Sequence, residues 1–104
     1  MFDYGLVDET VGRIVEKFSP KKIIIFGSVA RKQADENSDL DLLIVMESDR
    51  PVHSRAVPIY VAVSGIKIPK DILVVTPEEF EENKDNKYSF VSEIVRTGEV
   101  AYES

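Results

Sequence analysis

The chain has 104 residues, a net charge of −6 and no cysteine. This length is typical of one domain, so we predict a single domain over residues 1–104. The lack of cysteine excludes disulfides, thiolate nucleophiles and zinc–thiolate sites, and it is compatible with a reducing compartment.

The acidic balance also narrows the classes of partner, since a chain with this net charge is not expected to bind nucleic acid directly. No apolar run approaches the roughly 20 residues of a membrane-spanning helix, so we expect no membrane partner. The N-terminal stretch MFDYGLVDE lacks the basic start and the cleavage site of a signal peptide. These features favour the cytoplasm.

The N-terminal segment is predicted to form a helix. From Val7 to Phe18 the apolar residues recur with helical spacing. Asp8 is the expected N-cap of this helix, and Pro20 lies just beyond its end.

A strand, a turn and a second strand follow the helix. The β-branched run 22–26 is typical of a buried strand, and it ends at Gly27. We expect a short helix over 28–32, then a polar loop. A second apolar run, 40–46, is predicted to be the next strand.

Residues 50–70 carry conflicting signals. Their β-branched residues favour a strand, whereas the spacing of Ala56, Tyr60 and Val63 favours a helix. We predict a helix that starts late or kinks at Pro58.

The last third of the chain is predicted to be a strand followed by two helices. The run 71–75 is the strand, and Thr76 begins a helix as N-cap with Glu79 at the third helical position. The final helix is expected over 88–97. Strands separated by helices indicate an α/β (α+β) fold, with helices packed on a small mixed sheet of three to four strands.

Two aspartates at the start of the second strand are the clearest chemical signal. Because strand side chains alternate, Asp39 and Asp41 are expected on one face, about 7 Å apart. Paired carboxylates repel each other, and one or two magnesium ions carrying nucleotide phosphates would relieve the repulsion. The alternative is that Asp39 only caps the turn after Ser38.

The Gly-Ser turn before them is a candidate phosphate site, because backbone N–H groups at a helix start are free to bind anions. Gly27 would permit a close approach and Ser28 would add a hydroxyl donor. Arg31 would bind a phosphate or else pair with a nearby carboxylate. An ordinary strand-to-helix turn is the alternative for the Gly-Ser pair.

Asp71 is the third candidate, since it begins the third apolar run as Asp39 begins the second. If the two strands are neighbours, Asp71 would complete a metal site or accept a proton from an attacking hydroxyl. The alternative is a solvated residue at a strand end. Tyr60 and Tyr88 are candidates to stack on a base, although the sequence alone does not assign them that role.

The segment GSVARKQADENSDLDLLIV resembles the signature of the nucleotidyltransferase superfamily that includes DNA polymerase beta and kanamycin nucleotidyltransferase. Ten residues separate Ser28 from Asp39, as in that signature. The segments DILVVTPEEF and FVSEIVRTGEVAYE are similar to the small branch of minimal nucleotidyltransferases, or MNT domains. One departure is Lys32, where that branch usually has glycine.

The resemblance implies a role for each matching residue. Gly27 and Ser28 would hold the nucleotide phosphates. The catalytic residues that ligate magnesium would be three aspartates: Asp39, Asp41 and Asp71. The implied reaction is transfer of AMP from ATP to a hydroxyl, with release of pyrophosphate. The implied partner is a HEPN-domain toxin, whose tyrosine would accept the AMP from this antitoxin.

Three functions therefore compete at this stage. The first is transfer of a nucleotide to a protein hydroxyl. The second is a binding module that neutralises its partner by contact alone, and the third is transfer to a small molecule. Larger relatives use an added domain to shape the acceptor site, and 104 residues are expected to leave no room for one. This short length motivates the second function and weakens the third. The sequence leaves homo- or hetero-oligomer formation open.

Overall fold

A four-stranded sheet forms the centre of the computed structural model, which describes residues 2–104. The strands are β1 Lys22–Phe26, β2 Leu40–Val45, β3 Lys70–Val75 and β4 Glu99–Glu103. The α-helices are α1 Tyr4–Phe18, α2 Gly27–Ala30, α3 Val57–Ala62, α4 Pro77–Asn83 and α5 Phe90–Thr97. A 3-10 turn covers Val52–Ser54.

The strand order is β3-β2-β1-β4, and the sheet is mixed. β1 runs antiparallel to both β2 and β4, whereas β2 and β3 are parallel. The predicted class, helices on a small mixed sheet, is confirmed. The predicted third strand over 71–75 is also confirmed as β3, which begins one residue earlier, at Lys70.

Strand alternation divides the core between the two faces of the sheet. The α1 face carries buried strand side chains that pack with α1 and α3: Ile23, Ile25, Leu40, Leu42, Ile44, Ile72 and Val74. The α5 face packs with α4 and α5, and its buried cluster contains Ile24, Leu43, Val45, Phe80, Val91 and Ile94. Both faces are covered by helices, which explains why the inner strands read as continuous apolar runs.

Helix α1 begins earlier than its apolar spacing indicated. Asp3, not Asp8, is the N-cap, and its side chain accepts a hydrogen bond from the Gly5 N–H. The helix ends before Ser19, whose φ of 46° is left-handed, and Pro20 follows. The prediction of Asp8 was wrong because a second acidic residue upstream offered the same capping chemistry.

The middle segment contains the predicted helix in a shortened form. Helix α3 has six residues, and Pro58 lies in its first turn, where a missing N–H costs no hydrogen bond. Of the two predicted alternatives, the late start is therefore correct, and the kink at Pro58 is not observed.

The two C-terminal helices begin at side-chain caps. Thr76 and Glu79 form the predicted reciprocal capping box at the start of α4. Helix α5 starts at Phe90 rather than Tyr88, because the Ser89 hydroxyl accepts from the Ser92 N–H at 3.0 Å. The helix prediction of 88–97 was two residues too long at its start.

Strand β4 was not among the elements predicted from the sequence. Its residues are mostly exposed, so it lacks the apolar signal of an inner strand. Gly98 joins it directly to α5, at a point where a Cβ would lie 2.8 Å from Ile24 Cγ2 and from the Ile25 carbonyl. Only a glycine lets the chain pass this close to β1.

Among residues 2–104, no helix combines the length and the apolarity required to cross a membrane.

Arg55→Met is expected to destabilise the protein near neutral pH and to have less effect in acid. Arg55 Nη1 donates to Glu79 Oε1 at 2.7 Å, and this bond and the Thr76 N–H lower the pKa of Glu79. A depressed carboxyl pKa contributes stability above the unfolded pKa, and that stability is lost as pH falls through the folded pKa. Because the Glu79 side chain is 38% exposed, we expect a loss of about 0.5–1 kcal/mol.

Urea unfolding at about pH 7 and about pH 3 measures this difference. Lys84→Met is the matched control, since it removes the more exposed Lys84–Glu81 pair at the C-terminal end of α4. An equal loss of stability at both pH values would contradict a role for the ionised Glu79.

Candidate active site

Asp41 and Asp71 are paired neighbours on two parallel strands. The register of β2 and β3 sets Asp41 opposite Asp71, directly after the pair Leu40 and Lys70. Paired residues of adjacent strands project from the same face, so both carboxylates lie on the α5 face. Leu40, beside them, is fully buried on the opposite face. Asp39 lies just before β2 and is exposed.

The pKa of Asp41 reflects its burial and the charges around it. Burial raises the pKa of Asp41, and the negative charges of Asp71 and Asp39 raise it further. Arg31 acts in the opposite direction and lowers the pKa of Asp41. The other two predicted aspartates and the predicted arginine therefore all influence the carboxyl group of Asp41, which lies at the centre of the site.

Gly27 packs directly against the Asp41 carboxylate. Its φ is +75°, and a Cβ at this position would collide with Asp41 Oδ2. The register explains the contact, because Phe26, the last residue of β1, is paired with Asp41. Glycine is thus required twice, for the backbone conformation and for the space that the carboxylate fills.

Ser28 and Arg31 follow Gly27 around a single helical turn. Helix α2 has four residues, so its N–H groups belong almost entirely to an uncapped first turn. The turn closes through a hydrogen bond from the Gln33 N–H to the Ser28 carbonyl at 2.9 Å. The exposed Arg31 donates from Nε to Gln33 Oε1 at 3.3 Å.

Lys32 occupies a backbone conformation that favours glycine, with a φ of +60°. This backbone conformation explains why the similar minimal nucleotidyltransferases usually have a glycine at the position of Lys32. The lysine side chain is held outside the site, 3.3 Å from Glu99 Oε2 and over the Tyr4 ring. Its charge is therefore directed to β4 and α1.

Tyr60 is a site residue whose role the sequence did not assign. Its hydroxyl accepts from the Ile72 N–H at 2.7 Å and donates to Asp71 Oδ1 at 3.4 Å. Since β3 is the outer strand, this hydroxyl binds the open edge of the sheet and orients the carboxylate of Asp71. The only sequence signal was the helical spacing of α3, which does not reveal what the helix packs against.

An apolar groove of about 440 Å³ lies beside the aspartates. Leu43 and Leu73, two residues beyond Asp41 and Asp71, form part of its wall. Its exposed aromatic residues come from two different helices: Tyr60 on α3 and Phe90 on α5. Phe90 packs edge-to-face on Phe26 with ring centroids 5.7 Å apart, which links the groove to the Gly27 turn. Phe90 was predicted only as an apolar residue of the final helix and not as a residue of the site.

Tyr60→Phe is expected to lower the activity of the site about tenfold, which is typical of residues that orient a ligand group. The variant removes the hydrogen bond to Asp71 and leaves the ring in the groove. Steady-state kinetics should show the loss in kcat, with a loss of stability of about 1 kcal/mol from the Ile72 hydrogen bond. Tyr88→Phe, at a side chain that is 86% exposed, is the control. Equal kcat values for wild type and Tyr60→Phe would exclude this role.

Within residues 2–104, no group of three or more Asp, Glu, His or Cys side chains has a metal-holding arrangement. The neighbouring pair Asp41 and Asp71 provides oxygen ligands from two carboxylates. This donor set fits magnesium, which usually takes one or two protein carboxylates and completes its shell with water and phosphate. The predicted three-aspartate metal centre, with two ions, stays a prediction.

Comparison with known proteins relates this geometry to nucleotide transfer. Residues 7–97, which include every predicted site residue, match the family model described as a nucleotidyltransferase domain. A crystal structure of a candidate nucleotidyltransferase from Sulfolobus solfataricus is similar, with a TM-score of 0.55 and 29% sequence identity. The match covers 78% of this chain and 73% of that chain. No curated protein sequence matches.

Proposed function

Because the chain belongs to the nucleotidyltransferase domain family, we propose that it transfers AMP from ATP to a protein hydroxyl in a magnesium-dependent reaction. The observation that carries this proposal is the pairing of Asp41 with Asp71 next to the Gly27 turn. Nucleotidyl transfer needs a phosphate cradle and carboxylates at one point, and these residues supply both.

The donor set supports magnesium as the ion. Asp41 and Asp71 would hold it, with Asp39 beside them, and the bound ion would neutralise the negative charge of the phosphates. The crowded carboxylates that raise the pKa of Asp41 supply a physical reason for a cation at this position.

The chain's own residues divide the remaining work. The N–H groups of the Gly27–Ser28 turn and the guanidinium of Arg31 would bind the triphosphate. Asp71 would accept the proton of the acceptor hydroxyl, whose oxygen bonds to the α-phosphorus. The bond between that phosphorus and the bridging oxygen breaks, and pyrophosphate leaves with the electron pair.

The positions of the strands suggest where the acceptor enters. The Gly27 turn follows β1, whereas Asp71 lies on β3, on the other side of β2. In-line displacement requires the acceptor opposite the leaving pyrophosphate, and this argues for the Asp71 side. The groove between Tyr60 and Phe90 is lined by residues of β3, the strand of Asp71, and its apolar, aromatic lining suits a tyrosine side chain. We therefore propose a tyrosine of a HEPN-type toxin as the acceptor and an antitoxin role for this protein.

Label transfer tests this function. The protein is incubated with ATP labelled in the α-phosphate, magnesium and the product of the adjacent reading frame. We expect a labelled tyrosine on that partner and none when magnesium is chelated. If the partner binds and no label transfers, the proposed function is wrong.

A second candidate function is neutralisation of the partner by contact alone. The observation that favours it is the apolar groove with exposed Tyr60 and Phe90, which a partner could bind without any transfer. The variant Asp39→Ala plus Asp41→Ala separates the two functions in cells that carry the toxin. Full protection by the folded variant would assign the function to contact, and loss of protection would assign it to catalysis.

A further inference from the structure

A second groove, distant from the aspartates, lies between α1 and β4 on the α1 face of the sheet. It has a volume of about 530 Å³. Its apolar lining residues include Val7, Val11, Val15, Val100 and Tyr102. Asp41 and Asp71 project from the other face, so an occupant of this groove would leave them accessible.

Gly12 forms part of the helical wall of this groove. It lies in the middle of α1, where a glycine destabilises a helix by about 0.5–1 kcal/mol relative to alanine. A Cβ at Gly12 would meet no atom within 4 Å, so packing inside the chain does not require the glycine. The missing side chain instead widens the groove, as a close approach by another backbone would require.

The other wall of the groove is an outer strand. β4 pairs with β1 along one side only within the described sheet. Four of its five residues are exposed. The outer N–H and C=O groups of such a strand are a template onto which an extended segment can add.

The charges at this groove select the occupant. Three acidic residues line it, Asp8, Glu16 and Glu99, and none of its lining residues is basic. All three are exposed, but Glu99 lies 3.3 Å from Lys32 Nζ, so the selection for a basic occupant comes from Asp8 and Glu16. A second copy of this chain is disfavoured, because its β4 strand, Glu99–Glu103, contains no lysine or arginine that could pair with Asp8 and Glu16.

We propose that the α1–β4 groove binds an extended, basic segment of a partner protein. The segment adds to β4 as a fifth strand and crosses α1 at Gly12. Its apolar side chains contact Val11 and Val15, and its lysine or arginine side chains pair with Asp8 and Glu16. This proposal is independent of the proposed transferase activity, because the groove and the aspartates lie on opposite faces.

Two peptides of about nine residues, near the upper end of the usual strand length, test the proposal. Both alternate valine with threonine in their centre, and one carries lysines at its two ends whereas the other carries glutamates there. Titration into the full chain is followed by amide NMR. We expect the lysine peptide to shift and protect the β4 amides, with an affinity at least about tenfold above that of the glutamate peptide and decreasing with salt.

Two sets of variants identify the site. Gly12→Leu fills the groove and should weaken lysine-peptide binding about tenfold or more, the cost expected when the centre of an interface is blocked. Gly65→Leu is the matched control, since a Cβ at Gly65 also meets no atom within 4 Å. Asp8→Asn plus Glu16→Gln changes only exposed residues and should weaken binding without affecting the fold.

Several results would overturn the proposal. These are equal binding of both peptides, peptide shifts outside α1 and β4, or unchanged binding by Gly12→Leu and by the Asp8, Glu16 variant. A dimer in sedimentation experiments with protected β4 amides would assign the groove to a second copy of the chain instead.

Discussion

Asp41→Asn is expected to abolish nucleotidyl transfer and, at the same time, to raise the melting temperature of the ligand-free protein. The carboxylate lies at the centre of the site, so its loss should lower kcat by about 10²–10³-fold or more. The amide has the same shape and still fits against Gly27. Activity and stability are thus expected to change in opposite directions.

The gain in stability follows from the raised pKa of Asp41, which burial and the charges of Asp71 and Asp39 produce. A carboxyl group whose folded pKa is raised contributes stability below its unfolded pKa, and that stability is lost as pH rises through the folded pKa. Near pH 7 the ionised group therefore destabilises the fold, and a neutral amide removes this penalty. Each kcal/mol regained corresponds to about 4–8 °C in a domain of this size.

Thermal unfolding near pH 7 and near pH 3, without magnesium, measures the effect. The gain should be largest near pH 7 and should shrink in acid, where the wild-type carboxyl is protonated. Asp49→Asn, at an exposed loop position, is the control. A lower melting temperature for Asp41→Asn at both pH values would mean that the three aspartates do not converge.

Gly27→Ala is expected to have the largest effect on folding among substitutions at the site. Alanine at a φ of +75° costs about 1–2 kcal/mol. Its Cβ would also collide with the Asp41 carboxylate, so the turn or the aspartate must move. We expect a total loss of about 2–4 kcal/mol and loss of ATP binding.

A double-mutant cycle separates the two causes. In an Asp41→Ala background the collision with Oδ2 is absent, so Gly27→Ala should cost only the backbone term. Denaturant unfolding of the four proteins gives the coupling energy, and calorimetry gives the affinity for ATP. Gly65→Ala is the control glycine. A coupling energy of zero would show that Gly27 and Asp41 do not contact each other.

The sequence was most informative where the signal was local. Alternation along β2 was sufficient to put Asp41 on the face opposite Leu40 and Leu42. The capping box of Thr76 and Glu79 was equally readable, because its two partners are three residues apart. Such features depend on neighbours along the chain, and sequence patterns describe those neighbours well.

Features that depend on the order of the strands in the sheet, or on packing between distant segments, could not be predicted from the sequence. The pairing of Asp41 with Asp71 requires β2 and β3 to be parallel neighbours, which the sequence offered only as a condition. The hydroxyl of Tyr60 contacts residues 11 and 12 positions away through the packing of α3 on the sheet edge. Strand β4 lacked an apolar pattern because an exposed outer strand does not need one.

The Gly27 turn shows how structure changed an interpretation. From sequence, its glycine was expected to admit a ligand. In the structure, the same glycine also accommodates the Asp41 carboxylate, so the phosphate cradle and the acidic centre depend on each other. The prediction that this turn needs a glycine was correct, but one reason for the glycine is a contact with Asp41, which is distant in the sequence.

A crystal structure of the protein with magnesium and a non-hydrolysable ATP analogue tests the central claim most directly. We predict a metal ion bound by the carboxylates of Asp41 and Asp71, and triphosphate oxygens hydrogen-bonded to the N–H groups of the Gly27–Ser28 turn. A nucleotide bound elsewhere, or bound at that turn with no metal at the two aspartates, would contradict it.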